Sequence, residues 1–243
     1  MPRFFLSHQF VPYVILFIER DGSTYLSSLL SSHPNIEAVY ERFAVLKQKD
    51  ATSVDQLNWA EKFFTPSLIN TVSARGFKTK LIDILDKQKF QDLCLKKNIR
   101  IIHMHRRNRV KAVISKINAK RLYDKSGYWN LYQEKDRIPA TLFDVTQIDE
   151  LIGEREVLEH ELDNYVKNLN LTTLKVTYED LLTNKDESLR IIFDFLKVMN
   201  KPVESKTIKH TNDDLKNVIL NFEEVRNHYV NTPYFDMFSE TLG

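Results

Sequence analysis

Arg20, Gly22, Ser23 and Thr24 follow directly on an apolar run at residues 13–18 and precede a helical pattern over 23–32. Their types suit one task. Glycine permits a tight turn and lets the backbone approach a ligand closely. The first turn of a helix offers N–H groups without intrahelical partners and a partial positive charge. Ser23 and Thr24 add hydroxyl donors, and Arg20 adds a guanidinium fork matched to phosphate-type oxygens. The stretch reads as a cradle for an anion, although a serine at a helix start also serves as a plain N-cap. The second glycine and the lysine of GxxxxGK[ST] are missing, which argues against an ordinary ATPase or kinase.

A second basic cluster lies in IIHMHRRNRVKAVISKINAK, residues 101–120. Arg106, Arg107 and Arg109 crowd the end of an apolar run, and Val110, Val113, Ile114 and Ile117 form the buried stripe of a following helix. Ser115 stands eight residues after Arg107. A helix starting near Arg109 carries Ser115 about 9 Å along its axis, at ~1.5 Å per residue. A strand-end arginine reaching along that turn can share one anion with the Ser115 hydroxyl. Two anion sites at two strand ends suggest a nucleotide phosphorylated at both ends. A solvated basic helix, or one that touches nucleic-acid backbone, is the competing reading.

These residues need a frame to hold them. The chain has 243 residues and 42% hydrophobic content, enough for one sizeable core, and we expect a single domain over 1–243. Four apolar runs, 13–18, 75–79, 99–105 and 172–177, read as buried strands. Helical patterns follow them at 23–32, 81–97, 109–122 and 186–198. Further helices are expected near 54–65, 144–169 and 212–230, and a loop or lid over 123–142. Strands alternating with helices predict an α/β fold, three-layer, with a central parallel sheet flanked by helices. Ligands of such sheets bind beyond the carboxyl ends of the strands, where the residues above fall. The net charge of +2 gives no bulk pull toward nucleic acid, so no nucleic-acid partner is expected. Cys94 is alone and fits a reducing, cytoplasmic setting. The longest apolar stretch, 10–18, is about half the ~20 residues of a membrane helix. His103 and His105 share a strand face, but no cysteine or carboxylate stands beside them at metal-ligand spacing. We read them as core or cleft-edge residues and expect no metal site.

RDGSTYL followed by RNRVKAVIS resembles the two cofactor motifs of sulfotransferases that use 3′-phosphoadenosine 5′-phosphosulfate. KVTYEDLLTNKDESLRIIFDFLKV (175–198) is similar to that family's Y-E-D-L stretch. The segment 209–238 resembles the C-terminal part of the bacterial carbohydrate-directed branch. Four motifs in order cover residues 12 to 238. The resemblance implies a P-loop-kinase-like sulfotransferase fold and transfer of a sulfuryl group to an acceptor hydroxyl, on a carbohydrate or glycolipid, without metal. It implies that Arg20, Asp21, Gly22, Ser23 and Thr24 form the 5′-phosphosulfate loop. Tyr25 and Tyr178 stand near adenine, and Arg107 and Ser115 pair on the 3′-phosphate. Glu41, in HPNIEAVYERF, takes the place of the acceptor's general base, with Glu37 as the local competitor. Lys78 or Lys80, in RGFKTK, neutralises charge at the sulfuryl group; period-two alternation puts both on one face, and the choice stays open.

The chain departs from the family at three points. Asp21 replaces a small loop residue, so its charge must point away or pair with an arginine such as Arg106. His103 and His105 replace aliphatic residues. The C-terminal R-K-G triplet is absent, and Lys209 with His210 are the candidates to substitute. The acceptor cleft is sought among Trp59, Tyr123, Tyr128, Trp129 and Tyr132. Two rival functions are an ATP/magnesium phosphotransferase on the same architecture and a non-catalytic nucleic-acid-binding protein.

Overall fold

The computed structural model describes residues 10–66, 72–131, 133–205 and 211–241. Five strands form one sheet in the order β2-β3-β1-β4-β5, with every pairing parallel. They are β1 (Val11–Leu16), β2 (Ile36–Val39), β3 (Ala74–Thr79), β4 (Arg100–His105) and β5 (Thr173–Thr177). The helices are α1 (Ser23–Ser32), α2 (Arg42–Gln48), α3 (Ser53–Phe63), α4 (Lys87–Lys96), α5 (Arg109–Ser126), α6 (Val145–Asn168), α7 (Tyr178–Thr183), α8 (Lys185–Leu196) and α9 (Phe222–His228).

Period-two alternation explains the three layers. Along and just beyond β1, Tyr13, Ile15 and Phe17 pack with Leu26 and Leu30 of α1 and Ile192 and Phe193 of α8. Val14, Leu16 and Ile18 face the other way, onto Phe43, Phe77, Phe90 and Leu162. A strand apolar on both faces must be covered on both, and this makes β1 the centre of the sheet. β4 repeats the rule with one exception. Ile102 and Met104 face α1 and α8. The opposite face carries Ile101 and then His103, whose Nδ1 lies 3.6 Å from Asp163 of α6.

His103 is 5% exposed. Burial, aided by Lys175 and His105 and opposed by Asp163, pushes its pKa down to about 4 from 6.5. The unfolded chain therefore takes up this proton before the folded chain does. Its stabilising share is whole above about pH 6.5 and is lost as pH falls toward 4. His103→Gln is expected to flatten that part of the stability profile. Urea midpoints of both proteins from neutral pH to 4.5 check it; parallel profiles would refute the assignment.

Three expectations differ from the structure. The helix expected over 81–97 is a single 3-10 turn, Leu81–Asp83, and then α4, because Asp86 caps α4 through Lys89 N–H at 3.0 Å. The helix expected over 212–230 is a short turn at Leu215–Asn217 followed by α9. The start of the supposed 123–142 loop continues α5, which ends at Gly127 with φ 75°. β2 and α2 were not foreseen.

Candidate active site

The sheet order changes direction at β1 and β4, and the chain ends emerging there face one cavity of about 780 Å³. Gly22, with φ 83°, is the N-cap of α1. A Cβ there would lie 2.2 Å from the Tyr178 ring, so only glycine lets the loop lie against α7. Tyr178 is buried and carries the Arg106 guanidinium over its ring at 4.8 Å. Tyr25 meets Tyr178 edge to face at 6.5 Å, and both line the cavity.

The two lysines have different neighbours, and Lys78 is the one beside the loop hydroxyls. It is 2% exposed although it carries a charge. Its Nζ donates to Thr24 Oγ1 at 2.7 Å and Ser23 Oγ at 3.3 Å, and pairs with Glu41 Oε1 at 2.9 Å. Lys80 also lines the cavity, but it serves Glu19 at 3.0 Å and Asp83 at 3.6 Å. Glu37 turns to Arg75 at 2.7 Å and does not line the cavity, whereas Glu41 does.

Arg20 donates from Nε to Ser115 Oγ at 2.9 Å, joining the first turn to α5. Arg106 donates from one terminal nitrogen to the Arg20 carbonyl at 3.2 Å, and its buried Nε–H has no hydrogen-bond partner among the described residues. Burial, reinforced by Arg106, pushes Arg20 down to about 10. Burial lowers Lys78 as well, with Glu41 opposing and Arg20 adding to the shift. Burial likewise lowers Arg106. Three desolvated cations around one loop favour an anion among them.

Two assigned residues stand elsewhere. Arg107 is not brought to Ser115. It is half-exposed, pairs with Asp180 Oδ1 at 2.9 Å and does not line the cavity. Just past the end of β4, Arg106 is buried against the cavity while Arg107 is turned to Asp180, and Arg20 takes the Ser115 hydroxyl instead. Asp21 is buried outside the cavity lining. One of its oxygens accepts from Ile18 N–H at 2.9 Å, and the other pairs with Arg155, not with Arg106. Burial pushes its carboxyl up to about 6 against the pull of Arg155. Lys209, His210 and Tyr132 lie outside the described residues. Of the aromatic candidates, Trp59 packs on Phe43, Phe63 and Phe77 away from the cavity. Trp129 lines the cavity and stacks on Tyr123 at 4.4 Å. Tyr128 lines a separate, smaller hollow.

The reading of 144–169 as an amphipathic helix overlooked Arg155 and Glu159. Both fall on the buried stripe marked by Ile148, Ile152, Leu162 and Val166. Charged residues at core positions of a helical period are a legible sign of a buried ion pair.

A parallel sheet with a cationic, glycine-led turn at its switch point defines an α/β protein with its candidate ligand site beyond the strand ends. Residues 13–232 match the sulfotransferase domain family, and the chain belongs to it. Its chemistry is sulfuryl transfer to a small-molecule acceptor. No curated protein matches the chain significantly. No helix among the described residues is long and apolar enough to cross a membrane, and no group of three or more His, Cys, Asp and Glu among them could hold a metal ion.

Proposed function

We propose that this protein transfers the sulfuryl group of 3′-phosphoadenosine 5′-phosphosulfate to a hydroxyl of a carbohydrate or glycolipid, as the bacterial carbohydrate-directed branch does. The observation that carries the reading is the Lys78 ammonium, which meets the two loop hydroxyls and the Glu41 carboxylate at once. The residues fit the donor: Gly22 lets the loop lie against Tyr178, the cations are desolvated, and Arg106 has a buried donor to offer. When bound, the nucleotide supplies the sulfuryl group and a bisphosphate leaving group.

Arg20, Lys78, Ser23, Thr24 and the α1 N-terminus hold the 5′ end and oppose charge developing there. Ser115 and Arg106 are the inward-facing pair for the 3′-phosphate, and Tyr25 and Tyr178 flank the base. Glu41 accepts the acceptor's proton at its carboxylate. The positive charge comes from side chains, so the reading calls for no metal ion. Trp129, backed by Tyr123, offers an aromatic face on which a sugar ring can stack. The cytoplasm, where the buried Cys94 stays a thiol, is the setting this reading assumes.

Calorimetric titration with adenosine 3′,5′-bisphosphate, against ATP with magnesium, tests the proposal. Micromolar binding of the bisphosphate without metal supports it. Preference for ATP with magnesium would make the chain a phosphotransferase. Affinity only for nucleic acid, falling steeply with salt, would move the function to the basic helix. In the same assay Arg106→Ala is expected to weaken the bisphosphate at least tenfold, and Arg107→Ala much less. The reverse order would mean that Arg107 leaves Asp180 to take the 3′-phosphate.

A further inference from the structure

The loop between β1 and α1 has a difficult requirement. To receive an anion it must turn its N–H groups toward the cavity and keep its carbonyl oxygens away. Arg20, with φ 69°, and Gly22, with φ 83°, give it the bends to do so. Two guanidinium groups from distant parts of the chain take the carbonyls. Arg106 holds the carbonyl of Arg20 at 3.2 Å, and Arg155 of α6 holds the carbonyl of Glu19 at 3.1 Å.

Arg155 does more than this. It also pairs with the Asp21 carboxylate, while Asp21 caps the Ile18 N–H at 2.9 Å. Its Nε donates to Glu159 Oε1 at 2.9 Å, one turn along α6. Glu159 in turn is held by Arg109, at the start of α5, at 2.7 Å. Arg155, Asp21 and Glu159 are all at least nine-tenths buried. A buried pair is costly to desolvate and does little for net stability, but losing one partner strands the other as an uncompensated charge. Such a pair fixes geometry more than it adds stability.

We infer that Arg155 is a positioning residue for sulfuryl transfer: with Asp21 it clamps the anion loop to α6 and holds the Glu19 carbonyl out of the cavity. Arg155 touches no cavity-lining anion site itself and acts through the loop. The inference gives the departure at position 21 a role, because an acidic residue in an anion loop becomes an anchor once it faces a buried arginine. It rests on the loop being the donor cradle proposed above.

The experiment uses the full chain in four forms: wild type, Arg155→Lys, Asp21→Asn, and the double variant Asp21→Asn with Arg155→Met. The double variant strands neither partner, since Glu159 keeps Arg109, so it guards against simple misfolding. Two quantities are read: adenosine 3′,5′-bisphosphate affinity, and hydrogen exchange at the amides of residues 19–24 compared with those of β1 and β4. The expected result is at least tenfold weaker binding and at least tenfold faster exchange confined to 19–24. The double variant should lose at least as much as Asp21→Asn alone, because it also gives up the hydrogen bond to the Glu19 carbonyl. Wild-type affinity with wild-type exchange in the variants would overturn the inference. So would exchange that rises equally in β1 and β4, which marks a purely structural role. If wild type binds no bisphosphate, the donor assignment fails, and exchange at 19–24 alone decides whether the clamp exists.

Discussion

Glu41→Gln is expected to lower the turnover number by about 10²–10⁴-fold while leaving adenosine 3′,5′-bisphosphate affinity unchanged. The carboxylate sits at the N-cap of α2 without serving as a cap, lines the cavity, and pairs with Lys78 at 2.9 Å. Glutamine keeps the shape and can still accept from Lys78, but it cannot take the acceptor's proton. The binding control matters because Glu41 also opposes the burial that depresses Lys78. If the variant lost the bisphosphate too, the defect would lie in the lysine's charge. Turnover at the wild-type rate would remove Glu41 from the role of base.

Gly22→Ala should be at least as severe, and at a different step. Any residue with a Cβ pays ~1–2 kcal/mol for the left-handed backbone this position requires. The new methyl would also lie 2.2 Å from Cδ2 and 2.8 Å from Cε2 of Tyr178. That ring is buried under Arg106 and has no easy retreat, so the loop must move instead. Misplacement of a binding loop by about an ångström costs on the order of 10²-fold. Bisphosphate affinity is expected to fall by that order, with stability reduced by about 1–3 kcal/mol. If the clash is a cause, the Gly22→Ala penalty on affinity should be smaller when measured in a Tyr178→Ala background, which already lacks the ring. An equal penalty in both backgrounds would place the loss in the backbone strain alone.

The sheet was largely legible because β1 and β4 carry apolar residues on both faces, a pattern that depends only on period two. β2 escaped because it is only four residues long, Ile36–Val39, is interrupted by Glu37 and lies at an edge. The turn itself was legible from Gly22, which stands between the apolar run of β1 and the helical pattern of α1. The site's wiring was not. Spacing places Arg107 eight residues before Ser115, but the turn after β4 puts Arg106 against the cavity and Arg107 on Asp180. Lys78 and Lys80 share a strand face, so sequence could not separate them. The neighbours did: Thr24, Ser23 and Glu41 surround one, Glu19 and Asp83 the other. The partner of Asp21 comes from α6, 134 residues away, and no local pattern reports a contact of that range.

The left-handed backbone at Arg20 has a consequence for how this protein would change under selection. A side chain in that conformation costs ~1–2 kcal/mol, which glycine would recover. Arg20→Gly would therefore be expected to raise the melting temperature while depriving the loop of its guanidinium. Selection for heat resistance and selection for turnover would choose different residues at position 20. If Arg20 holds the donor as proposed, its presence there exchanges stability for chemistry.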